Sequence, residues 1–95
     1  MIRLSVLYPN SDDATFDHDY YRTKHVPLAV EKWKPKAAEI DRGINGPYVA
    51  AVHFTFESDE AMQAALGAPD TAAIQADVAN YTNISPVMQI SSIEG

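Results

Sequence analysis

The sequence predicts one α+β domain whose elements follow the order strand, helix, strand, strand, helix, strand. Two segments, 2–8 and 48–56, alternate along the chain with the period of two that is typical of strands. Two stretches with helical features begin after the capping residues Asp17 and Ser58. Two further strands are expected at 37–43 and 86–93. This order is the ferredoxin-like βαββαβ arrangement, and 95 residues make a single domain, 1–95.

The first half of the chain contributes a strand, a bent helix and an edge strand. Asp17 is expected to cap the first helix, because its carboxylate can accept from the free N–H groups of the first turn. The helix should run to about Trp33 and bend near His25, since Pro27 has no N–H for the carbonyl of Thr23. The charged segment 37–43 is typical of a strand at a sheet edge.

The second half contains the predicted central strand and a second helix. The two sets of alternating residues in 48–56 are both largely uncharged, which favours a strand covered on both faces. The second helix starts at Ser58, stops at Gly67 and resumes over 70–78. The helices cover one sheet face, and the other face would present Ala51, His53 and Thr55, which are too apolar to remain in water. We therefore expect a homodimer with its two sheets packed face to face.

Composition excludes several kinds of partner and chemistry. The chain has no cysteine, so disulfides and thiolate catalysis are excluded, and a reducing cytoplasm is the expected location. The net charge is −6, and no Lys or Arg follows Arg42, so a phosphate backbone would be repelled by the second half. Neither a secretory signal nor an apolar run long enough for a bilayer is visible. We expect neither nucleic acid nor a membrane as a partner.

Four blocks of sequence resemble the EthD family, which is named after a gene cluster for ethyl tert-butyl ether degradation. These blocks are Ser5-Val6-Leu7-Tyr8-Pro9, the stretch from Phe16 to Leu28 with its Tyr20-Tyr21 pair and His25-x-Pro27-Leu28, Pro47-Tyr48-Val49-Ala50, and the stretch from Asn80 to Val87. The resemblance covers nearly the whole chain. It implies a dimeric α+β barrel, a superfamily that includes polyketide cyclases, muconolactone isomerases and cofactor-free monooxygenases.

His25 is the leading candidate for chemistry, because imidazole exchanges protons near neutral pH. Tyr21 precedes it by four residues, so both side chains can share a helix face, where the phenol would orient the imidazole or hold a substrate oxygen. Asp17, four residues earlier, extends this to a carboxylate–phenol–imidazole line. The alternative is that Asp17 only caps, Tyr21 packs, and His25 bonds a carbonyl freed by Pro27. The resemblance favours a functional His25 but adds nothing for Asp17.

Four other residues are candidate ligand contacts. Tyr20 is the neighbour of Tyr21 in the Tyr20-Tyr21 pair. Tyr81 either packs on the helices or closes a pocket mouth. His53, together with Gln89, lines a pocket if its sheet face encloses one; the alternative is a buried neutral histidine satisfied by hydrogen bonds. We expect no metal site, because His18 and His25 lie about 10.5 Å apart along a straight helix. No cofactor is expected.

The sequence favours two functions, ahead of a structural dimer without a ligand and of a haem-related role. The first is a cofactor-free enzyme in which His25 moves a proton during isomerisation, cyclisation or decarboxylation of a small hydrophobic cyclic or aromatic metabolite. The second is an accessory protein of an oxidative catabolic pathway that binds such a ligand without changing it. Apolar pockets with a few polar groups serve both.

Overall fold

The computed structural model describes residues 1–95 and contains one antiparallel sheet of four strands. The strands are β1 (Ile2–Pro9), β2 (Ala37–Arg42), β3 (Tyr48–Phe56) and β4 (Val87–Ser92). They lie in the order β2-β3-β1-β4, so β1 and β3 are central and β2 is an edge strand. The predicted ferredoxin-like α+β fold is confirmed, and each predicted strand agrees with the observed one to within a residue at either end.

Two helical segments connect the strands and lie on one face of the sheet. The first helical segment (18–33) consists of α1 (His18–Tyr20), a π-helical turn (Tyr21–His25) and α2 (Val26–Trp33). The second helical segment (59–80) consists of α3 (Asp59–Leu66), α4 (Thr71–Ala76) and a 3₁₀ turn (Asp77–Asn80). None of these helices has the length and continuous apolar sequence that a bilayer span requires.

The ends of the first helical segment follow the expected capping chemistry. Asp17 is the N-cap, and its Oδ1 accepts from the backbone N–H of Tyr20 at 3.0 Å. Lys34 ends α2 in the left-handed conformation, with φ of 51°, and Pro35 prevents further helix. The predicted boundaries at Asp17 and Trp33 are therefore confirmed.

The bend expected near His25 takes the form of the π-helical turn. Its widened hydrogen bond runs from the Val26 N–H to the Tyr21 carbonyl, five residues back. Pro27 then falls in the first turn of α2, where the missing N–H has little cost. Such turns are frequent at functional sites, because they change the direction in which neighbouring side chains point. Here the turn ends on His25, which is 6% exposed.

The core lies between the helices and one sheet face. This covered face carries alternate residues of each strand, among them the buried Val6 on β1 and Val52 on β3 and the half-exposed Met88 on β4, which are paired in register. Successive residues of a strand point to opposite sides, so the neighbours Ser5, His53 and Gln89 belong to the other face. No helix covers that second face, which we call the open face.

Candidate active site

A histidine–aspartate pair joins the two helical segments. His25 Nδ1 lies 2.9 Å from Asp77 Oδ2, and the two residues are 52 positions apart in the chain. The π-helical turn supplies the imidazole, and the 3₁₀ turn that follows α4 supplies the carboxylate. Both side chains are largely withdrawn from solvent. The pair therefore depends on the packing of the helices and not on spacing within one helix.

The Asp77 carboxylate is held in place by two further donors. Its Oδ1 accepts from the Tyr20 hydroxyl at 2.7 Å and from the Asn80 side-chain amide at 2.9 Å. Desolvation by burial opposes ionisation, but the hydrogen bonds from Tyr20, Asn80 and His25 outweigh it and lower the pKa of Asp77. Asp77 is consequently a fixed anion at neutral pH, and its orientation is set from both sides.

This carboxylate determines which nitrogen of His25 carries the proton. An ionised carboxylate only accepts, so neutral His25 donates from Nδ1 and keeps the lone pair of Nε2 free. Burial lowers the pKa of His25, and the hydrogen bond and charge of Asp77 oppose this effect without cancelling it. Near pH 7 the imidazole is therefore neutral, in the form that accepts a proton at Nε2.

An apolar cavity of about 140 Å³ adjoins the imidazole between the helices and the covered face. Its walls come from the sheet, from α2, from α4 and its 3₁₀ turn, and from the start of β4. Twelve residues line it: Val6, Tyr8, His25, Ala29, Trp33, Val52, Phe54, Ile74, Gln75, Val78, Pro86 and Met88. Nε2 of His25 has no hydrogen-bond partner within the chain and is not fully buried, and the His25 side chain forms part of the cavity lining.

The phenols cluster around His25 but do not all reach the cavity. The ring of Tyr21 stacks on His25 with centroids 5.6 Å apart, and the ring of Tyr81 approaches it at 4.5 Å. The Tyr81 hydroxyl lies 2.6 Å from that of Tyr8, which lines the cavity. Burial raises the pKa of Tyr8, Tyr21 and Tyr81, so these phenols stay neutral. They form an aromatic wall that fixes the ring of His25.

Tyr21 and Tyr20 occupy supporting positions. Tyr21 is 1% exposed, does not line the cavity, and its hydroxyl has no hydrogen-bond partner. Tyr20 acts on His25 indirectly, because its hydroxyl bonds the carboxylate of Asp77. Asp17 is absent from the His25 environment and serves as the helix cap. The alternative considered for Asp17 is thus the observed arrangement, whereas His25 bonds a carboxylate and not a freed carbonyl.

His53 and Gln89 lie apart from this cavity, on the open face. His53 Nδ1 is 2.7 Å from Ser5 Oγ, and its Nε2 is 2.9 Å from Asp41 Oδ2, so both ring nitrogens are occupied. Gln89 pairs in register with Ser5 and its amide bonds Ser91. The structure therefore brings together Tyr20, Tyr21, His25 and Tyr81 but separates them from His53 and Gln89 by the thickness of the sheet.

Sequence reasoning missed two residues of the site, Asp77 and Tyr8. Asp77 stands at the end of a stretch predicted as helix, and nothing in its neighbourhood marks it as a partner of His25. The Asp77-x-x-Asn80 spacing lets the Asn80 side-chain amide donate to the Asp77 carboxylate across one turn. That spacing is only a weak signal of a site residue. The alternating pattern of β1 and the first EthD-like block both include Tyr8, but neither marks it as a cavity residue. No group of three or more His, Asp or Glu side chains is placed to hold a metal ion.

Solved structures with this fold include several close matches. An EthD-like protein from Ralstonia eutropha JMP134 is 35% identical, with a TM-score of 0.88 over 95% of this chain and 88% of that one. An ethyl tert-butyl ether degradation (EthD) family protein from Bacillus halodurans C-125 is 16% identical, with a TM-score of 0.79 over 99% of both chains. A dimeric ferredoxin-like protein of unknown function from Thermobifida fusca YX is 20% identical, with a TM-score of 0.64 over 97% of this chain and 90% of that one.

Comparison at the sequence level gives no match. No protein-family model matches the chain, and no curated protein sequence matches it closely.

Proposed function

The chain belongs to the EthD-like family, and from this premise we propose that it binds a small hydrophobic cyclic metabolite and moves a proton on it with His25. One observation carries the proposal. The imidazole is held at Nδ1 by an anionic Asp77, while Nε2 is free beside an apolar cavity. This arrangement of orienting carboxylate, imidazole and reacting atom is the one that general acid–base catalysis needs.

The reaction class follows from what the cavity provides. A neutral imidazole accepts a proton from the substrate, and the imidazolium that forms is stabilised by the adjacent carboxylate of Asp77. It then returns the proton at another atom. Isomerisation and cyclisation fit this cycle directly, whereas decarboxylation would need a carboxylate substrate, for which the cavity lining supplies no cation. The mechanism uses no group beyond the side chains of this chain.

Binding without chemistry is the second candidate, and the apolar cavity favours it as much as it favours catalysis. An accessory protein of an oxidative catabolic pathway would hold a hydrophobic intermediate in the same place. The two functions differ in what happens to a bound ligand near Nε2. An enzyme exchanges an acidic C–H of the ligand with solvent, whereas a carrier leaves it unchanged.

Deuterium exchange separates the two functions. Monocyclic ketones and lactones that bind the protein would be incubated in D₂O with wild type, His25→Ala and His53→Ala, and analysed by mass spectrometry. Catalysis predicts deuterium uptake or product with wild type and His53→Ala, and neither with His25→Ala. If ligands bind but none exchanges or changes, the catalytic proposal is rejected and the carrier function remains.

We also propose that a second copy of the chain covers the open face. Ala51 and Ser5 already have little exposure there, and Leu7 and Val87 add apolar surface that has no cover within the chain. The charged residues of this face are Arg3, near the start of β1, and Glu39 and Asp41 on the edge strand β2. Ala51, Leu7 and Val87 are paired in register across β3, β1 and β4, so small and apolar side chains lie together. In such a dimer His53 and Gln89 would lie between the two sheets.

A further inference from the structure

We propose that the ligand of this cavity is an uncharged molecule with a single six-membered ring and one carbonyl oxygen, and that Gln75 binds that oxygen. The inference rests on the proposed function, which names the cavity but not the class of ligand. Three features of the lining carry it: the volume of the cavity, its lack of charge, and the two polar groups that have no partner within the chain.

The volume matches a ligand of one ring. The cavity measures about 140 Å³, and an apolar protein cavity of roughly 150 Å³ binds benzene. Its walls include the bulky side chains of Trp33 and Phe54, which pack edge to face with centroids 5.3 Å apart. Trp33 is fixed further by a hydrogen bond to Thr71. A fused bicyclic compound would have to displace these rings.

The charges around the cavity exclude a carboxylate ligand. None of the twelve lining residues is Lys, Arg, Asp or Glu. The imidazole of His25 is hydrogen-bonded to the carboxylate of Asp77, which is negative and would repel an anion. An anion moved from water into this apolar space would therefore lose its hydration and gain no compensating charge. The lining accordingly suits a neutral ligand.

Two lining side chains keep polar groups free for the ligand. Tyr8 is engaged with Tyr81, and the Trp33 N–H is engaged with Thr71. The remaining groups are Nε2 of His25 and the side-chain amide of Gln75, which takes part in no hydrogen bond within the chain. Gln75 is on α4, two residues before Asp77, and it is exposed, so it stands at the rim of the cavity.

These two groups match an enolisable cyclic ketone or lactone. The Gln75 amide donates to the carbonyl oxygen, and Nε2 of His25 accepts a proton from the adjacent carbon. The electron pair of the broken C–H bond moves into the new C=C bond, and negative charge collects on the oxygen that Gln75 holds. Return of a proton from the imidazolium to a different carbon completes an isomerisation, so atoms and electrons balance without an oxidant or a cofactor.

The test is a set of binding measurements on the full-length protein near pH 7.5, by calorimetry or NMR titration. The probes are cyclohex-2-enone, toluene, benzoate and 1-naphthol. Gln75→Leu removes the amide, and Gln63→Leu makes the same change at an exposed position of α3 outside the cavity. Loss of one net hydrogen bond predicts that Gln75→Leu weakens cyclohex-2-enone binding roughly 3- to 10-fold and leaves toluene unaffected. Gln63→Leu should bind every probe like wild type.

Wild type should bind cyclohex-2-enone at least about tenfold more tightly than benzoate or 1-naphthol, since the anion lacks compensation and the bicycle lacks room. Benzoate or naphthol binding that equals enone binding would overturn the proposal, as would an unchanged enone affinity in Gln75→Leu or no binding of any single-ring probe. These readouts are affinities, so they stand or fall separately from the loss of deuterium exchange in His25→Ala, which tests the proton transfer.

Discussion

At the scale of single residues, the site depends on the hydrogen bond between His25 and Asp77. The carboxylate selects the Nδ1–H tautomer, and burial keeps the ring neutral, so one imidazole nitrogen is committed and the other is free. His25 itself was a candidate because of its imidazole chemistry and because of the resemblance of its His25-x-Pro27-Leu28 block. Asp77 was not, because a pair 52 residues apart leaves no periodic signal in a single sequence.

Asp77→Asn should lower the rate of His25-dependent exchange by roughly 10- to 100-fold, a part of the roughly 10²- to 10⁴-fold that general acid–base catalysis contributes. The amide cannot stabilise the imidazolium that forms when His25 accepts a proton. Asp41→Asn, which alters the carboxylate beside His53 on the open face, is the matched control. Equal rates in both variants would show that Asp77 has no role in the proton transfer.

The pH dependence follows from the lowered pKa of His25. The base form of His25 predominates above its folded-state pKa. The midpoint of the acid limb of kcat/KM should therefore lie below pH 6.5, the ordinary pKa of histidine. The Asp77 carboxylate raises the pKa of His25, in opposition to burial, so Asp77→Asn should move the acid limb to still lower pH. An acid limb above 6.5 in wild type would contradict the arrangement.

The same shift links stability to pH. The unfolded chain binds a proton at His25 near pH 6.5, whereas the folded chain does so only at lower pH. The contribution of His25 to the free energy of unfolding is therefore complete above pH 6.5. It is lost as the pH falls from 6.5 to the folded-state pKa of His25. Urea denaturation of wild type and His25→Gln across this window measures it. Parallel pH profiles for the two proteins would refute the linkage.

At the scale of elements, capping and turn chemistry account for most of what the sequence predicted. Asp17, Ser58 and Lys34-Pro35 set the helix boundaries, because their roles depend on neighbours only a few residues away. The bend at Pro27 was expected, but its form as a π-helical turn was not. That form is chosen by tertiary packing, since it directs His25 toward Asp77 on the other helical segment.

Asp17 provides a test at this scale, because its two possible roles predict different effects when it is substituted. As a cap, Asp17→Asn should leave the free energy of unfolding nearly unchanged, whereas Asp17→Ala should reduce it by about 1 kcal/mol. As part of a catalytic line, Asp17→Asn would lose activity. We expect full activity with stability retained in Asp17→Asn, as measured by exchange rate and urea denaturation. A large loss of activity in this variant would restore Asp17 to the mechanism.

At the scale of the whole molecule, the sheet separates two environments. Its covered face forms one wall of the cavity, and its open face carries the Ser5–His53–Asp41 hydrogen bonds. Alternation along the strands predicted the two faces, and Ala51, His53 and Thr55 were expected on the face that the helices leave uncovered, which is where β3 has them. The sequence did not show which of the two faces encloses a pocket, because that depends on how the helices pack on the sheet.

The proposed dimer has a direct test at the centre of the open face. Ala51→Glu places a charge among small and apolar side chains that the second copy would bury, so it should convert a dimer to a monomer. Ala73→Glu, at an exposed position of α4, is the control. Light scattering coupled to size exclusion reports the mass. A wild-type protein that is monomeric at all concentrations, or an Ala51→Glu variant that stays dimeric, would contradict a dimer through this face.

The role of His25 is tested most directly by its protonation state, measured by ¹⁵N NMR on histidine-labelled protein near pH 7.5, with His25→Gln used to assign its signals. We predict a protonated Nδ1 and an unprotonated Nε2, with the Nε2 signal shifting when cyclohex-2-enone binds. A protonated Nε2, or an Nε2 signal that does not shift when a ligand binds in the cavity, would contradict the proposed role of His25.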